Sequence, residues 1–468
     1  MTRSPENRHP PRHPRAASMA AMALAMSVCL GSCGGGGGGG GGQPRLVSSD
    51  GAAAPSAPDG PSAAKSLESR LIVGYQGWFG CPADGPGAPR WRHWFDGPAG
   101  EPSTLTVDML PDVTGLPASA LCETPLRRAD ASPVMVYSSQ SAEVIDRHFA
   151  WMAEHGIDGA AVQRFVGPLG DPIERERSDR ILAGVRDAAQ RHGRVFYVTY
   201  DVSGASAASV YDDLRSDWRH LSTTLRITDS PAYLRHEDAP LLQLWGFGFT
   251  DRPGDPERVL ALMKDLRGAA GDRAGAVLIG GVPSQWRTLS GDAKADATWS
   301  GVYRAYDVLS PWAVGRYADR ASDQHFVRNV VEGDLAETRR LGIGYLPVVF
   351  PGFSWANLMT VRGHLDQALP NRIPRRCGDF LWEQGRSRIA AGSRSLFVAM
   401  FDEVDEGTAI MPVETRTARL PASTGLIALD ADGCELPSDW YLRVTGQLAA
   451  HVRRGAQLPD SLSAVLSR

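Results

Sequence analysis

The sequence predicts a (β/α)8 barrel. Three observations carry that reading: eight apolar, β-rich runs recur along the chain, amphipathic helical patterns separate them, and no nucleotide-binding fingerprint comes after the first run. Near-continuous apolar strands are expected where both faces of a parallel sheet are covered. Strands that alternate with helices put such a sheet in an α/β barrel. An open doubly wound sheet is the alternative. The lack of G-x-G-x-x-G or a P-loop after the first strand argues against it.

The first run is Leu71–Tyr75. The others cover 158–164, 194–200, 240–245, 276–280, 307–312, 344–350 and 396–400. Helices are expected over 142–155, 178–192, 255–266, 325–341 and 378–391. In the first of these, Val144, Ile145, His148, Phe149 and Met152 share one stripe, and Gly156 supplies a C-terminal cap. Gly193 ends the second in the same way. A last helix over 439–453 should cover the barrel, leaving 456–468 as a tail. The folded domain is therefore expected over 67–455. Its first strand-to-helix loop, from 76 to about 133, holds Trp78, Phe79, Trp91, His93, Trp94 and Phe95. Loops of that length in a compact domain are usually functional.

Composition limits the partners. The 468 residues are 43% hydrophobic and 22% charged, ample for one barrel-sized core. A formal net charge of −4 provides no strong field for nucleic acid or an anionic membrane surface. A monomer is expected. Residues 1–33 read as a targeting segment: Arg3, Arg8, Arg12 and Arg15 precede an apolar stretch, 16–30, too short to span a bilayer. Leu30-Gly31-Ser32-Cys33 fits the bacterial lipoprotein cleavage pattern, with Cys33 lipidated; an ordinary secretory signal with a chance cysteine is the alternative. Gly34 to Gly42 and a Pro/Ala/Ser-rich stretch then form a tether over 34–66, which would let the body stand off the membrane of the cell envelope. Cys81, Cys122, Cys377 and Cys434 remain, allowing three pairings; the irregular early location of Cys81 and Cys122 favours joining those two. No CxxC or His-rich spacing suggests a metal, and no cofactor is expected.

The chemistry concentrates after the last apolar run. Residues 395–401 lead into Asp402, Glu403, Val404, Asp405 and Glu406, then Gly407 and Thr408. Acids repel one another and resist burial, so their crowding at a strand end needs a reason. In a barrel, strand C-terminal ends build the site. Those ends offer Glu403 and Glu406 as a catalytic pair. As ligand contacts they offer Tyr75, Gln76, Trp78, Arg164, Tyr200, Asp201, Trp245, Gln285, Trp286, Arg287, Trp312, Phe353 and Trp355. Aromatic faces with fixed polar groups suit a neutral polyhydroxylated ligand, a carbohydrate, better than a phosphate. Two neighbouring carboxyls with separated pKa values suit glycosidic cleavage, one as acid and one as base or nucleophile. The bland reading has these acids capping a turn or pairing with rim arginines.

The segment Glu403-x-x-Glu406-Gly407-Thr408-x-Ile410 resembles the catalytic segment of glycoside hydrolase family 99, the endo-α-mannosidases and endo-α-mannanases. More broadly, the chain looks like proteins described as family 71/99-like. Gly74-Tyr-Gln-Gly-Trp78, Gly281-Val-Pro-Ser-Gln-Trp286-Arg287, Phe350-Pro-Gly-Phe-Ser-Trp355, Leu429-Asp-Ala-Asp-Gly433 and Pro437-Ser-Asp-Trp-Tyr441 extend the likeness from about Leu71 to Gly446. The resemblance implies a (β/α)8 barrel and metal-free, retaining cleavage of α-mannosidic links. It also implies that Glu403 acts as base on the sugar's 2-hydroxyl, giving a 1,2-anhydro sugar, and that Glu406 is the acid/base. Val404-Asp405 stands where Trp-His is common in the family, a change that bears on substrate more than on reaction. The expectation is an anchored glycosidase acting on an α-linked, mannan-like glycan. Its rivals are a glycan-binding lipoprotein without catalysis and a glycosidase for another α-linked sugar.

Overall fold

The computed structural model describes residues 66–85, 90–236, 238–268 and 275–467. Cys33 and nearly all of the expected tether lie outside them. The chain forms a parallel barrel. Its strands are β1 (Leu71–Tyr75), β2 (Gly159–Phe165), β3 (Val195–Asp201), β4 (Ala239–Trp245), β5 (Val277–Gly281), β6 (Val308–Leu309), β7 (Gly344–Tyr345), β8 (Val348–Val349) and β9 (Leu396–Val398). They pair in the order β7-β6-β5-β4-β3-β2-β1-β9-β8. The two short pieces β7 and β8 belong to one run, so residues 344–349 pair with β6 at one end and β9 at the other and close the barrel. Pro347, which has no N–H to give, separates them.

The helices are α1 (Ala142–Glu154), α2 (Pro172–His192), α3 (Val210–Arg219), α4 (Pro256–Arg267), α5 (Trp299–Arg304), α6 (Arg320–Phe326), α7 (Glu332–Leu341), α8 (Ala356–Val361), α9 (Asp379–Ala390) and α10 (Trp440–Arg454). Their ends reflect local chemistry. Ser141, Asp171 and Asp255 cap α1, α2 and α4 with side-chain oxygens that accept backbone N–H groups, and Gly193 ends α2 in the left-handed region at φ 60°.

Four boundaries differ from the sequence reading, each for a local reason. Helix α2 starts at Pro172 rather than 178, because Asp171 caps it and Pro172 fits the first helical position. The helix expected over 325–341 begins at Arg320, where Asp319 and Ser322 form a reciprocal capping box, and passes through a π-turn at Val327–Val331 before α7. Strand β6 is shorter than 307–312, since Pro311 cannot continue the ladder. Strand β9 ends at Val398, because Met400 N–H donates to the Thr408 carbonyl at 3.2 Å and the chain turns back.

The long first loop contains an antiparallel hairpin, Leu121–Arg127 with Pro133–Tyr137. Cys81 and Cys122, the pair expected from the sequence, form a disulfide that ties this loop together; Cys377 and Cys434 form another. Residues 456–467 fold back onto the barrel, burying Leu458 and Leu462 and accepting the Trp382 indole N–H at the Pro459 carbonyl. No helix among the described residues is long and apolar enough to cross a membrane.

Candidate active site

The site is built where β9 meets β1. Asp402 accepts the backbone N–H groups of Gln76 and Gly77 at 2.8 and 2.9 Å, so the acidic segment is fastened to the end of β1. Gly77, at φ 60°, turns the chain there, and a Cβ would press on Ile181 and Tyr75. Val404 is buried and its carbonyl accepts the N–H groups of Asp108 and Met109, docking the first loop on the acidic segment. Asp108 in turn accepts the N–H groups of Ala356 and Asn357 at the start of α8. Gly407, at φ 60°, lies against Ser354 with no space for a side chain. Buried Arg375 donates to the Gly407 and Ala409 carbonyls at 2.8 and 2.7 Å, holding the turn from below. The acidic segment is thus held by backbone bonds and packing along its length.

Beside this segment lies a cavity of about 510 Å3, a size suited to a small ligand. Glu406 and Asp405 form part of its wall, with Gln76, Trp78, His93, Gln163, Phe165, Leu358 and three arginines, Arg164, Arg177 and Arg362. Trp78 is sandwiched: His93 stacks on it at 4.0 Å and Phe165 at 5.4 Å. Its indole N–H finds no partner among the described residues, nor does the Gln163 side-chain oxygen. Glu403 sits just behind the wall, 3% exposed. The Gln76 amide donates to one of its oxygens at 2.6 Å and the Thr408 hydroxyl to the other at 2.7 Å.

Burial dominates the electrostatics. It pushes the Glu406 carboxyl up to about 7, with Asp405 adding to the rise and Arg362 and Arg252 opposing it. Asp405 and Asp402 are also driven by burial to about 7. Burial raises Glu403 well above the usual carboxylate range, reinforced by Glu406 and Asp405. Acids this close cannot all ionise cheaply, so charge on one favours a proton on its neighbour. Asp405 lies 3.4 Å from His93 Nδ1. Enclosure, followed by Arg177, Arg362 and Arg92, lowers His93 to about 3, so the imidazole is neutral at pH 7.

The structure brings together some of the residues named from the sequence and separates others. Glu403, Glu406, Gln76, Trp78 and Arg164 meet at or directly behind the cavity. Arg164 is occupied elsewhere: its guanidinium forms ion pairs with Asp217 and Asp179 at 2.5 and 2.7 Å, and Tyr200 donates to the same Asp217. The Tyr75 hydroxyl pairs with His148 on α1, within the core. Asp201 is buried, accepts the Ser203 N–H at 2.7 Å, and is raised to about 6 by burial. Trp245 packs between Phe249 and Trp312, and Trp286 is fully buried against Tyr303. Arg287 pairs with Asp334 at 3.2 Å, and Trp355 packs on Phe353 at the start of α8. Sequence reasoning missed Arg177, Arg362 and the role of Phe165. Phe165 was findable as the next residue of its strand; Arg177 and Arg362 come from a helix face and a post-helix turn, where strand ends give no signal.

The chain matches no protein-family model, and no curated protein matches it. Solved structures do share its fold, two of them of one enzyme. The GH99 endo-α-mannosidase from Bacteroides thetaiotaomicron aligns with a TM-score of 0.58 and 15% identity, over 84% of this chain and 100% of that one. The same enzyme in complex with BIS-TRIS-propane gives a TM-score of 0.55 and 16% identity, over 83% of this chain and 99% of that one. The likeness at this identity is one of fold, and it extends over the whole barrel.

Proposed function

We propose that this chain is a glycoside hydrolase acting on an α-linked, mannan-like glycan, held at the cell envelope by a lipid on Cys33. The single observation behind this reading is the arrangement at the end of β9. Glu406 faces a cavity of sugar size, Glu403 is oriented directly behind it, and Trp78, whose indole N–H finds no partner among the described residues, borders the same cavity. The family 99 likeness in fold and in the Glu403-x-x-Glu406 segment supports the assignment of roles.

On this assignment, Glu403 removes the proton from the sugar's 2-hydroxyl, and that oxygen attacks the anomeric carbon. The glycosidic bond breaks as Glu406 gives its proton to the leaving oxygen, leaving a 1,2-anhydro sugar. Glu406 then takes a proton from water, which opens the three-membered ring, and Glu403 returns its proton to the 2-oxygen. The net result is retention. Burial suits the acid, because it keeps a proton on Glu406 near neutral pH. It works against the base, since it also raises Glu403 well above the usual carboxylate range; the hydrogen bonds from Thr408 and Gln76 aim the Glu403 oxygens and oppose that rise.

One observation favours a second reading, a glycan-binding lipoprotein without catalysis. Glu403 does not itself border the cavity, and both of its oxygens already accept hydrogen bonds. Incubation with yeast mannan and α-glucans, with a reducing-end assay afterwards, separates the two. New reducing ends from an α-mannan are expected. Binding without new ends would replace the hydrolase reading with the binding one.

A further inference from the structure

Charge at the cavity mouth is distributed unlike charge in the chain as a whole. The sequence carries a formal net charge of −4. Yet Arg177 from α2 and Arg362 just after α8 both stand in the cavity wall, on different elements, and Arg362 is near enough to Asp405 and Glu406 to act on both. A smaller recess next to the cavity is bordered by Arg90, Arg92, Arg177 and Arg180. Glu174 is the shared acid of Arg90, Arg92 and Arg177, at 3.1, 2.6 and 3.3 Å. Glu176 pairs with Arg180 at 3.0 Å, and Asp84, which accepts the Cys81 N–H and the Ser138 hydroxyl, also acts on Arg177. The four arginines thus exceed the three acids Glu174, Glu176 and Asp84 by one charge.

Arg362 is a different case. Among the described residues it forms no ion pair, although its field reaches Asp405, Glu406 and His93. His93 stands in the same wall, where enclosure first, and then Arg177, Arg362 and Arg92, lower its pKa. The two wall acids that could cancel these cations, Asp405 and Glu406, retain protons up to about pH 7.

We propose that the glycan taken by this cavity carries an anionic substituent, a carboxylate or a sulfate ester, on a sugar unit seated between Arg177 and Arg362. The cleavage part of this inference rests on the hydrolase reading. Arg177 already meets Glu174 and the Trp78 carbonyl, so Arg362 carries the unmet charge. A guanidinium presents paired N–H donors that match planar or tetrahedral oxyanions, while a neutral sugar leaves that charge without a counterpart.

Three glycans with one backbone test it: uncharged, uronate-bearing and sulfate-bearing. Each is given to the full-length protein, with cleavage read by new reducing ends and binding by calorimetry. An anionic glycan should be preferred by about tenfold or more, a preference that fades as salt rises. The two anionic arms identify which oxyanion is recognised. Arg362→Gln should lose most of the preference, and Arg362→Lys should keep part of it. Equal or better use of the uncharged glycan would overturn the inference, as would a preference indifferent to salt and to Arg362→Gln, or a failure to bind either anionic glycan. Anionic glycan bound tightly but left uncut would uphold the charge inference and remove the hydrolase reading instead.

Discussion

The C-terminal rim of the barrel has two sectors built from similar residue types. Where β9, β1 and β2 end, an aromatic side chain, Trp78, stands beside carboxyls at an open cavity. Around the ends of β4 and β5, Trp245 closes its strand and Trp286 lies in the loop beyond, yet they are 3% and 0% exposed. The difference comes from the loop attached to each strand. After β4, Gly246 and Gly248 at φ 108° and 90° fold the chain down onto Tyr303 and Val202, and the Tyr303 hydroxyl donates to the Gly248 carbonyl at 2.8 Å. After β1, Gly77 turns the chain toward Asp402, and Trp78 is left at the cavity edge. A tryptophan near a strand end therefore borders a cavity or is packed away according to the loop that carries the chain onward.

The contrast can be broken experimentally. The largest effect should come from the open sector: Glu406→Gln should lower turnover by about 10^2- to 10^4-fold with the melting temperature little changed, since the new amide is isosteric. Retained turnover would remove Glu406 from the acid role. The tryptophans come next. Trp286→Ala should cost about 3 to 5 kcal/mol of stability in a denaturant titration, because a fully packed indole leaves a cavity. Trp78→Ala should instead raise KM with a smaller loss of stability. A reversed pattern, with binding lost at Trp286 and stability lost at Trp78, would mean that the open and packed sectors have been exchanged.

The smallest and most diagnostic effect is the response to pH. Glu406 must be protonated to act as acid, and its carboxyl is raised to about 7, so activity should decline as pH rises through that value. Stability should change with the same sign. Asp402, Asp405 and Glu406 hold protons in the folded state that an unfolded chain loses near pH 4, so stability contributed by these groups is present at low pH and fades between about 4 and 7. An alkaline limb of activity that stays in place in Glu406→Asp and Asp405→Asn variants would show that some other group sets it.

The positions of the barrel strands were legible because each is a run of apolar residues, and burial on both faces demands that pattern whatever the rest of the chain does. The same holds for α1 and α10, whose apolar stripes face the barrel. Helices α3, α5 and α8 were not legible: two are only six residues long, and α3 carries Asp212, Asp213 and Arg215 on its exposed side. At the site, Glu403 and Glu406 were visible as acids placed where acids are costly. Arg164 and Tyr200 were visible too, but β-strand alternation sends them outward to Asp217 between the helices.

The sequence alone determined the barrel, the order of its strands, and the place on the chain where carboxyls crowd, because each is recorded as local pattern and composition. Only tertiary structure decided which strand ends open onto a cavity, which tryptophans are walled in, and that Arg177 and Arg362 share a cavity wall with Glu406. Those outcomes depend on contacts between distant parts of the chain. Gln76 and Asp402, with a sequence separation of 326, are joined by a hydrogen bond of 2.8 Å from a backbone N–H to a carboxylate. Local pattern carries no trace of a contact at that distance; packing and hydrogen-bond satisfaction set it only when the barrel closes.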